Sequence, residues 1–304
     1  MLKWGVERRL EFIEFRLFWE GGVNRADLID MFGVSVPQAS KDLTLYQERA
    51  PQNAVYDKSA KRYVAGAGCK PVFLDPDPDA YLLRLQSFAE GFAEAGANWL
   101  GAAPAADVAL TPRRKVDVEV LRSVLAAVRD GRSLNIHYQS MSRDRPDPVW
   151  RRITPHAFGY DGFRWHARAW CHETSKFKDF LLPRILGIDT PGDPGVHGAQ
   201  DSLWQETFDI LIVPHPDLSV GQQAVVAKDY GMTDGTARLT VRFAMLFYVL
   251  KRLGLLNATQ RHDPRTQHIV AANAADIAIA LERAQFEFDG AGPVGAGSEA
   301  EKRP

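Results

Sequence analysis

The chain has 304 residues, 45% hydrophobic and 25% charged, with a net charge of −1. That is the usual range for soluble globular domains, and the length suits two or more of them. Two cysteines, Cys69 and Cys171, exclude a disulfide framework and a cysteine-rich zinc site. No apolar run approaches the roughly 18 residues of a membrane span, and "MLKWGVERRLEFIEF" has no signal-peptide core, so a cytoplasmic protein without a membrane partner is expected.

Residues 3–19 carry Val6, Leu10, Ile13 and Leu17 at helical spacing. Gly21 and Gly22 stop this helix. Asn24, with Asp27 three residues on, caps a second helix running to Phe32, and Gly33 makes the turn. In "SVPQASKDLTLYQE", Ser35 and Gln38 fit a reciprocal capping box, with Pro37 in the first turn. Val36, Ala39, Leu43 and Tyr46 form the predicted inward stripe. Gln38, Ser40, Lys41 and Thr44 are polar side chains of the kind that reach base edges and phosphates. Two short β-rich runs in "NAVYDKSAKRYVAG" then flank a polar tip bearing Lys58, Lys61 and Arg62. Helix–turn–helix followed by a basic hairpin is the layout of a winged helix-turn-helix over residues 1–66. The alternative is a small helical bundle with no role at DNA.

Residues 67–131 are predicted as a helical connector, with apolar periodicity over Asp75–Ala95 and Asp117–Asp130. Residues 132–192 are β-rich. "SLNIHYQS", "WRRITPHAF", "FRWHARAWC" and "FKDFLLPRI" are strand candidates, and strands this short suggest a small, strongly bent barrel or sandwich. From 193 to 288 helices and strands mix in a separate α+β unit, and 289–304 is a low-complexity tail expected to be disordered.

The charge is unevenly spread. Residues 132–185 hold 10 Lys and Arg against 5 Asp and Glu, while residues 186–304 hold 10 against 15. A basic block suggests an anionic partner, though a solvated face would look the same. Strand alternation places Arg164, His166 and Arg168 on one face, and Arg152, Thr154 and His156 likewise. Tyr138 and Ser140 share a face with Ile136, and Arg184 shares one with Phe180 and Leu182. Side chains two apart along a strand are about 6.6 Å apart, comparable to successive phosphates. Arginine suits phosphate, and Tyr138, His156 or Phe180 could stack on a base. A metal site from His137, His156 and His166 is disfavoured by the flanking arginines and the lack of a carboxylate on that strand. No P-loop, G-x-S-x-G or G-x-G-x-x-G motif occurs, and Asp161 and Asp179 have no evident partner. No enzyme and no cofactor is expected. An RNA-binding or nucleic-acid-processing protein using the basic strands is the alternative to a regulator.

"RRITPHAFGYDGFRWHARAWCHETSKFKDFLLPRI", preceded by "LNIHYQS", resembles the WYL domain, an Sm-like/SH3-like small β-barrel of bacterial transcriptional regulators. The module order is similar to that of the BrxR/CapW-like branch. Those are homodimeric repressors associated with anti-phage operons, with a winged helix-turn-helix, a WYL domain and a C-terminal extension. The eponymous tripeptide stands here as Trp165-His166-Ala167, a departure that fits this branch. The resemblance implies a multidomain α+β chain whose C-terminal unit dimerises. It also implies double-stranded operator DNA with an inverted repeat, and a nucleic-acid or nucleotide effector on the basic barrel face. Tyr138, Ser140, Arg152, His156, Arg164, His166, Arg168 and Arg184 would line or border that effector site.

Overall fold

A computed structural model of the chain describes residues 4–92, 99–109, 112, 114–142, 145–256 and 263–287. The predicted tail at 289–304 lies outside the described residues. The chain divides into two compact units, Met1–Pro112 and Arg113–Pro304.

The first unit opens with α1 (Trp4–Glu20), β1 (Gly22–Val23), α2 (Arg25–Phe32) and α3 (Val36–Arg49). Asn24 and Asp27 close a reciprocal capping box on α2, and Gly33 ends that helix in the left-handed region at φ 62°. Ser35 caps α3 by accepting from the Gln38 N–H. The reciprocal half of the predicted box is not formed, because the Gln38 amide turns to Asp42 instead. Val36 also departs from prediction. It sits at the first helical position, before the stripe has reached the core, and is 53% exposed. The hairpin β2 (Ala54–Asp57) and β3 (Arg62–Ala65) forms as predicted, and β1 adds a third antiparallel strand in the order β1-β3-β2.

Leu10, Ile13, Leu17, Leu28, Leu43 and Tyr46 form the core of this unit. Each such apolar side chain contributes about 1.5–3 kcal/mol on burial. Part of the predicted connector packs here: Tyr81, Leu85 and Phe88 of α4 (Pro78–Ala89), together with Trp99 and Leu100, join that core. Trp99 meets Phe12 and Phe15 edge-on at 5.7 and 5.5 Å. Glu14 is fully buried on α1. It accepts the backbone N–H groups of Val72, Phe73 and Leu74 at 2.6–2.8 Å. The Tyr46 hydroxyl and the Asn53 amide donate to its other oxygen.

The second unit begins with α5 (Val118–Asp130), capped by Asp117 and ended by Gly131 at φ 63°. Then come β4 (Leu134–Tyr138), β5 (Val149–Tyr160), β6 (Trp165–Cys171) and β7 (Lys176–Leu181). A 3₁₀ turn over Leu182–Arg184 breaks the predicted fourth strand before β8 (Ile185–Ile188). The strands form one antiparallel sheet in the order β7-β6-β5-β4-β8. The predicted barrel is not closed: among the described residues β7 and β8 remain edges. Helix α5 instead covers one face, placing Val120, Val124 and Ala127 against Leu134, Ile136, Ile153, Ala167, Ala169 and Cys171.

The β5–β6 register passes from Pro155 opposite Ala169 to Ala157 opposite Arg168, so His156 is the extra residue of a β-bulge.

The chain continues through α6 (Ser202–Gln205), β9 (Thr207–Pro214), α7 (Val220–Asp229), β10 (Ala237–Arg242), α8 (Phe243–Leu253), β11 (Ile269–Ala271) and α9 (Ala274–Glu287). Here the sheet order is β10-β9-β11, with central β9 unforeseen in the sequence. Ile210, Ile212, Leu246, Leu250 and Ile277 make the core. Among the described residues no helix is long and apolar enough to cross a membrane.

Candidate nucleic-acid interface and effector site

On α3, Lys41 and Thr44 are exposed, and Gln38 and Ser40 half-buried. The helical period turns Lys41 and Thr44 away from Leu43 and Tyr46, while Gln38 and Ser40 flank that stripe. Two of the hydroxyls donate backwards to the helix: Ser40 Oγ to the Val36 carbonyl and Thr44 Oγ1 to the Ser40 carbonyl, each at 3.0 Å. At the wing, Asp57 accepts from the backbone N–H groups of Ser59 and Ala60, shaping the turn that exposes Lys58 and Lys61. Arg62 is half-buried. Its guanidinium occupies the space a Cβ on Gly22 would need, which draws it away from the tip.

The eight residues expected around an effector do not share one surface. Arg168 and His166 face away from the α5 side, opposite Asp179 and Leu181 of β7. Arg168 is 1% exposed. It donates Nε and Nη2 to the two Asp201 oxygens at 2.7 and 3.0 Å, and Nη1 to Asp179 at 3.4 Å. His156 donates Nε2 to Asp201 at 2.9 Å, so the bulge brings it to the same carboxylate. Burial disfavours the Asp201 charge, yet hydrogen bonds from His156 and Arg168 hold its carboxyl below the usual range. Asp161 gathers Arg164 Nε at 2.8 Å and His166 Nε2 at 3.1 Å. Tyr248 of α8 donates to Asp179 at 3.1 Å and packs its ring on His166. Arg152 is exposed and donates to Ser133 Oγ at 2.9 Å.

The basic face is thus neutralised from within, by a turn (Asp161), a neighbouring strand (Asp179) and a later loop (Asp201). The sequence reading left Asp161 and Asp179 without partners; both have them. His137 takes no part with the other histidines, stacking on Trp150 at 5.1 Å.

A second cationic cluster lies on the opposite, α5-facing side of the sheet, at its rim. Tyr138 accepts the Leu181 N–H at 3.2 Å, and burial raises its phenol pKa against the opposing pull of Leu181, Arg184 and Arg151. The Arg151 guanidinium lies 5.6 Å from the Tyr138 ring centre. Arg151 is 6% exposed, and among the described residues its Nε and Nη2 have no hydrogen-bond partner. Burial lowers the Lys178 pKa, and neighbouring Arg145, Arg151 and Lys176 lower it further. Arg184 and Ser140 are half-buried, and Ser140 Oγ accepts the Ser142 N–H. Tyr138 and Arg184 therefore gather with Arg151 and Lys178, neither of which the sequence reading selected. Arg151 was legible: it stands two residues before core Ile153 and opposite buried Ile136.

A winged helix-turn-helix followed by a sheet of this register and a β10-β9-β11 module defines a class of multidomain regulators. Three family descriptions match in that order. They are the BrxR transcriptional regulator winged helix-turn-helix domain over residues 5–87, the WYL domain over 119–190, and the BrxR transcriptional regulator C-terminal dimerization domain over 207–277. The chain belongs to the CapW family. It is 40% identical over 281 residues to the DNA-binding transcriptional repressor CapW of Stenotrophomonas maltophilia, covering 91% of this chain and 92% of that one. CapW of Escherichia coli (strain KTE188) is 37% identical, covering 92% and 93%, and that of Pseudomonas aeruginosa 35%, covering 90% and 91%.

Proposed function

We propose that this chain is a DNA-binding transcriptional repressor of an anti-phage operon that acts as a homodimer. Its α3 enters the major groove and its wing holds the backbone. Two copies read inverted half-sites about 34–36 Å apart, or a multiple of that. The observation that carries this reading is α3 itself, firmly packed through Leu43 and Tyr46 and exposing Lys41 and Thr44. The relatives, named DNA-binding transcriptional repressors, and the matched dimerization domain support it. The anti-phage context rests on the family resemblance alone, and the neighbouring genes test it.

The effector is a phosphate-bearing nucleic acid or nucleotide held at the Tyr138–Arg151–Arg184 cluster. A buried guanidinium with unmatched N–H groups is costly, and a phosphate would match them. Occupancy would shift the protein between states by the difference of its affinities for them.

The direct test is a gel shift on promoter DNA upstream of the protein's own gene. Wild type shifts this duplex, and Lys41→Ala with Thr44→Ala abolishes the shift at unchanged melting temperature. Full binding by that variant would remove α3 as the recognition helix.

A further inference from the structure

We propose that Asp42 is the positioning residue that fixes which way Gln38 turns its amide on α3, committing it to an adenine in each half-site. This rests on the reading that α3 enters the major groove.

The geometry is a three-residue relay. Asp42 is 1% exposed and lies on the inner side of α3. Arg9 of α1 grips it with two prongs, Nε to Oδ2 at 2.6 Å and Nη2 to Oδ1 at 3.2 Å. Gln38, one turn earlier on α3, donates Nε2 to Oδ1 at 3.0 Å. An ionised carboxylate only accepts. The amide group facing it must therefore be the NH₂, since the flipped amide would set oxygen against oxygen. The orientation of Gln38 follows from chemistry, with Oε1 turned away from Asp42 and one N–H still to give.

An acceptor beside a donor matches the major-groove edge of adenine, where N6 donates and N7 accepts; guanine offers two acceptors there. The neighbouring hydroxyls are poorer readers. Ser40 and Thr44 have given their single hydroxyl protons to backbone carbonyls, leaving them lone pairs and, for Thr44, a methyl group. Gln38 is then the side chain of this face equipped for two-point base recognition, and Arg9–Asp42 holds it in register.

The test uses the full-length dimer and the footprinted promoter duplex, with each base pair of a half-site replaced in turn and a scrambled duplex as reference. Replacing one A·T pair should weaken wild-type binding about 5- to 150-fold. Gln38→Ala should flatten the profile at that pair alone. Asp42→Asn, whose amide accepts either orientation of Gln38, should flatten the same pair while affinity for the scrambled duplex and the salt slope stay unchanged. A purely structural Asp42 would lower melting temperature and weaken all duplexes alike with the base preference intact, and that outcome overturns the proposal. If Asp42→Asn does not fold, the double variant Arg9→Met/Asp42→Leu carries the same test. It removes the buried ion pair whole, so that nothing sets the Gln38 amide, and a flattened profile at the same pair is expected; an intact preference overturns the proposal. Loss of binding in Lys41→Ala/Thr44→Ala with unchanged base preference in Gln38→Ala sinks this relay and leaves α3 in the groove. Unchanged binding in all of these variants sinks the recognition helix itself.

Discussion

Arg168 carries three residues' worth of structure in one side chain. Buried between Asp201 and Asp179, it is matched by good geometry, and such a pair is costly to break from one side only. Arg168→Met should lose about 3–5 kcal/mol of stability, because two carboxylates are left buried without their cation. Adding Asp201→Leu should restore part of that loss, since the double variant removes a charge as well as its partner. It stays below wild type because Asp179 remains. Urea denaturation of the four proteins of the cycle measures the coupling, expected at about 1 kcal/mol or more. Strictly additive losses would mean that the two side chains do not act together. The arginine was legible in the sequence as one of a row of cations. Its partner was not, because strand alternation shows which side chains share a face and says nothing of a carboxylate 33 positions later.

At the scale of elements, the turn between β5 and β6 is organised by one carboxylate. Asp161 accepts the N–H groups of Phe163 and Arg164 at 2.8 and 2.7 Å, and the side chains of Arg164 and His166 as well. Burial alone would raise its pKa, but these hydrogen bonds outweigh it and bring it to about 2. An unfolded Asp titrates near pH 3.9. Because the folded value is the lower, the stabilisation is present above about pH 4 and lost as pH falls toward 2. The urea midpoint of wild type should therefore exceed that of Asp161→Asn at pH 6, with the gap narrowing at pH 3. A gap independent of pH would show that the charge of Asp161 is not what holds the turn.

Elements with local signals were readable in advance. Asn24, Gly33, Ser35 and the turn before Arg62 announce α2, α3 and the wing through capping and turn chemistry. Strand β9 was missed because its partners, β10 and β11, lie far along the chain and no tight turn marks its pairing. Closure of a barrel was equally unreadable, since it depends on whether α5 or an edge strand covers the last face. For the candidate sites, α3 and its polar face were legible. The proposed effector cluster was half legible: Tyr138 and Arg184 were selected, but Arg152 stood in for Arg151, one residue and therefore one sheet face away, and Lys178 was not selected.

For the whole molecule, the segment joining the two C-terminal modules is more than a spacer. "PGDPGVHG" looked like a linker, yet its glycines press onto the sheet: a Cβ on Gly198 would come within 2.6 Å of the His156 ring. Asp201 follows directly, and it lies after the WYL match ends at residue 190 and before the dimerization match begins at 207. Anyone dissecting the protein at those boundaries would discard it. A fragment spanning 114–190 should bind heparin more strongly than one spanning 114–206, for Arg168 and His156 would then face solvent without the charge of Asp201, leaving Asp179 alone beside Arg168. Equal retention of the two fragments on a heparin column would refute this. Polyanion affinity in the shorter piece would be an artefact of the scissors, created by removing an anion the chain had supplied to itself.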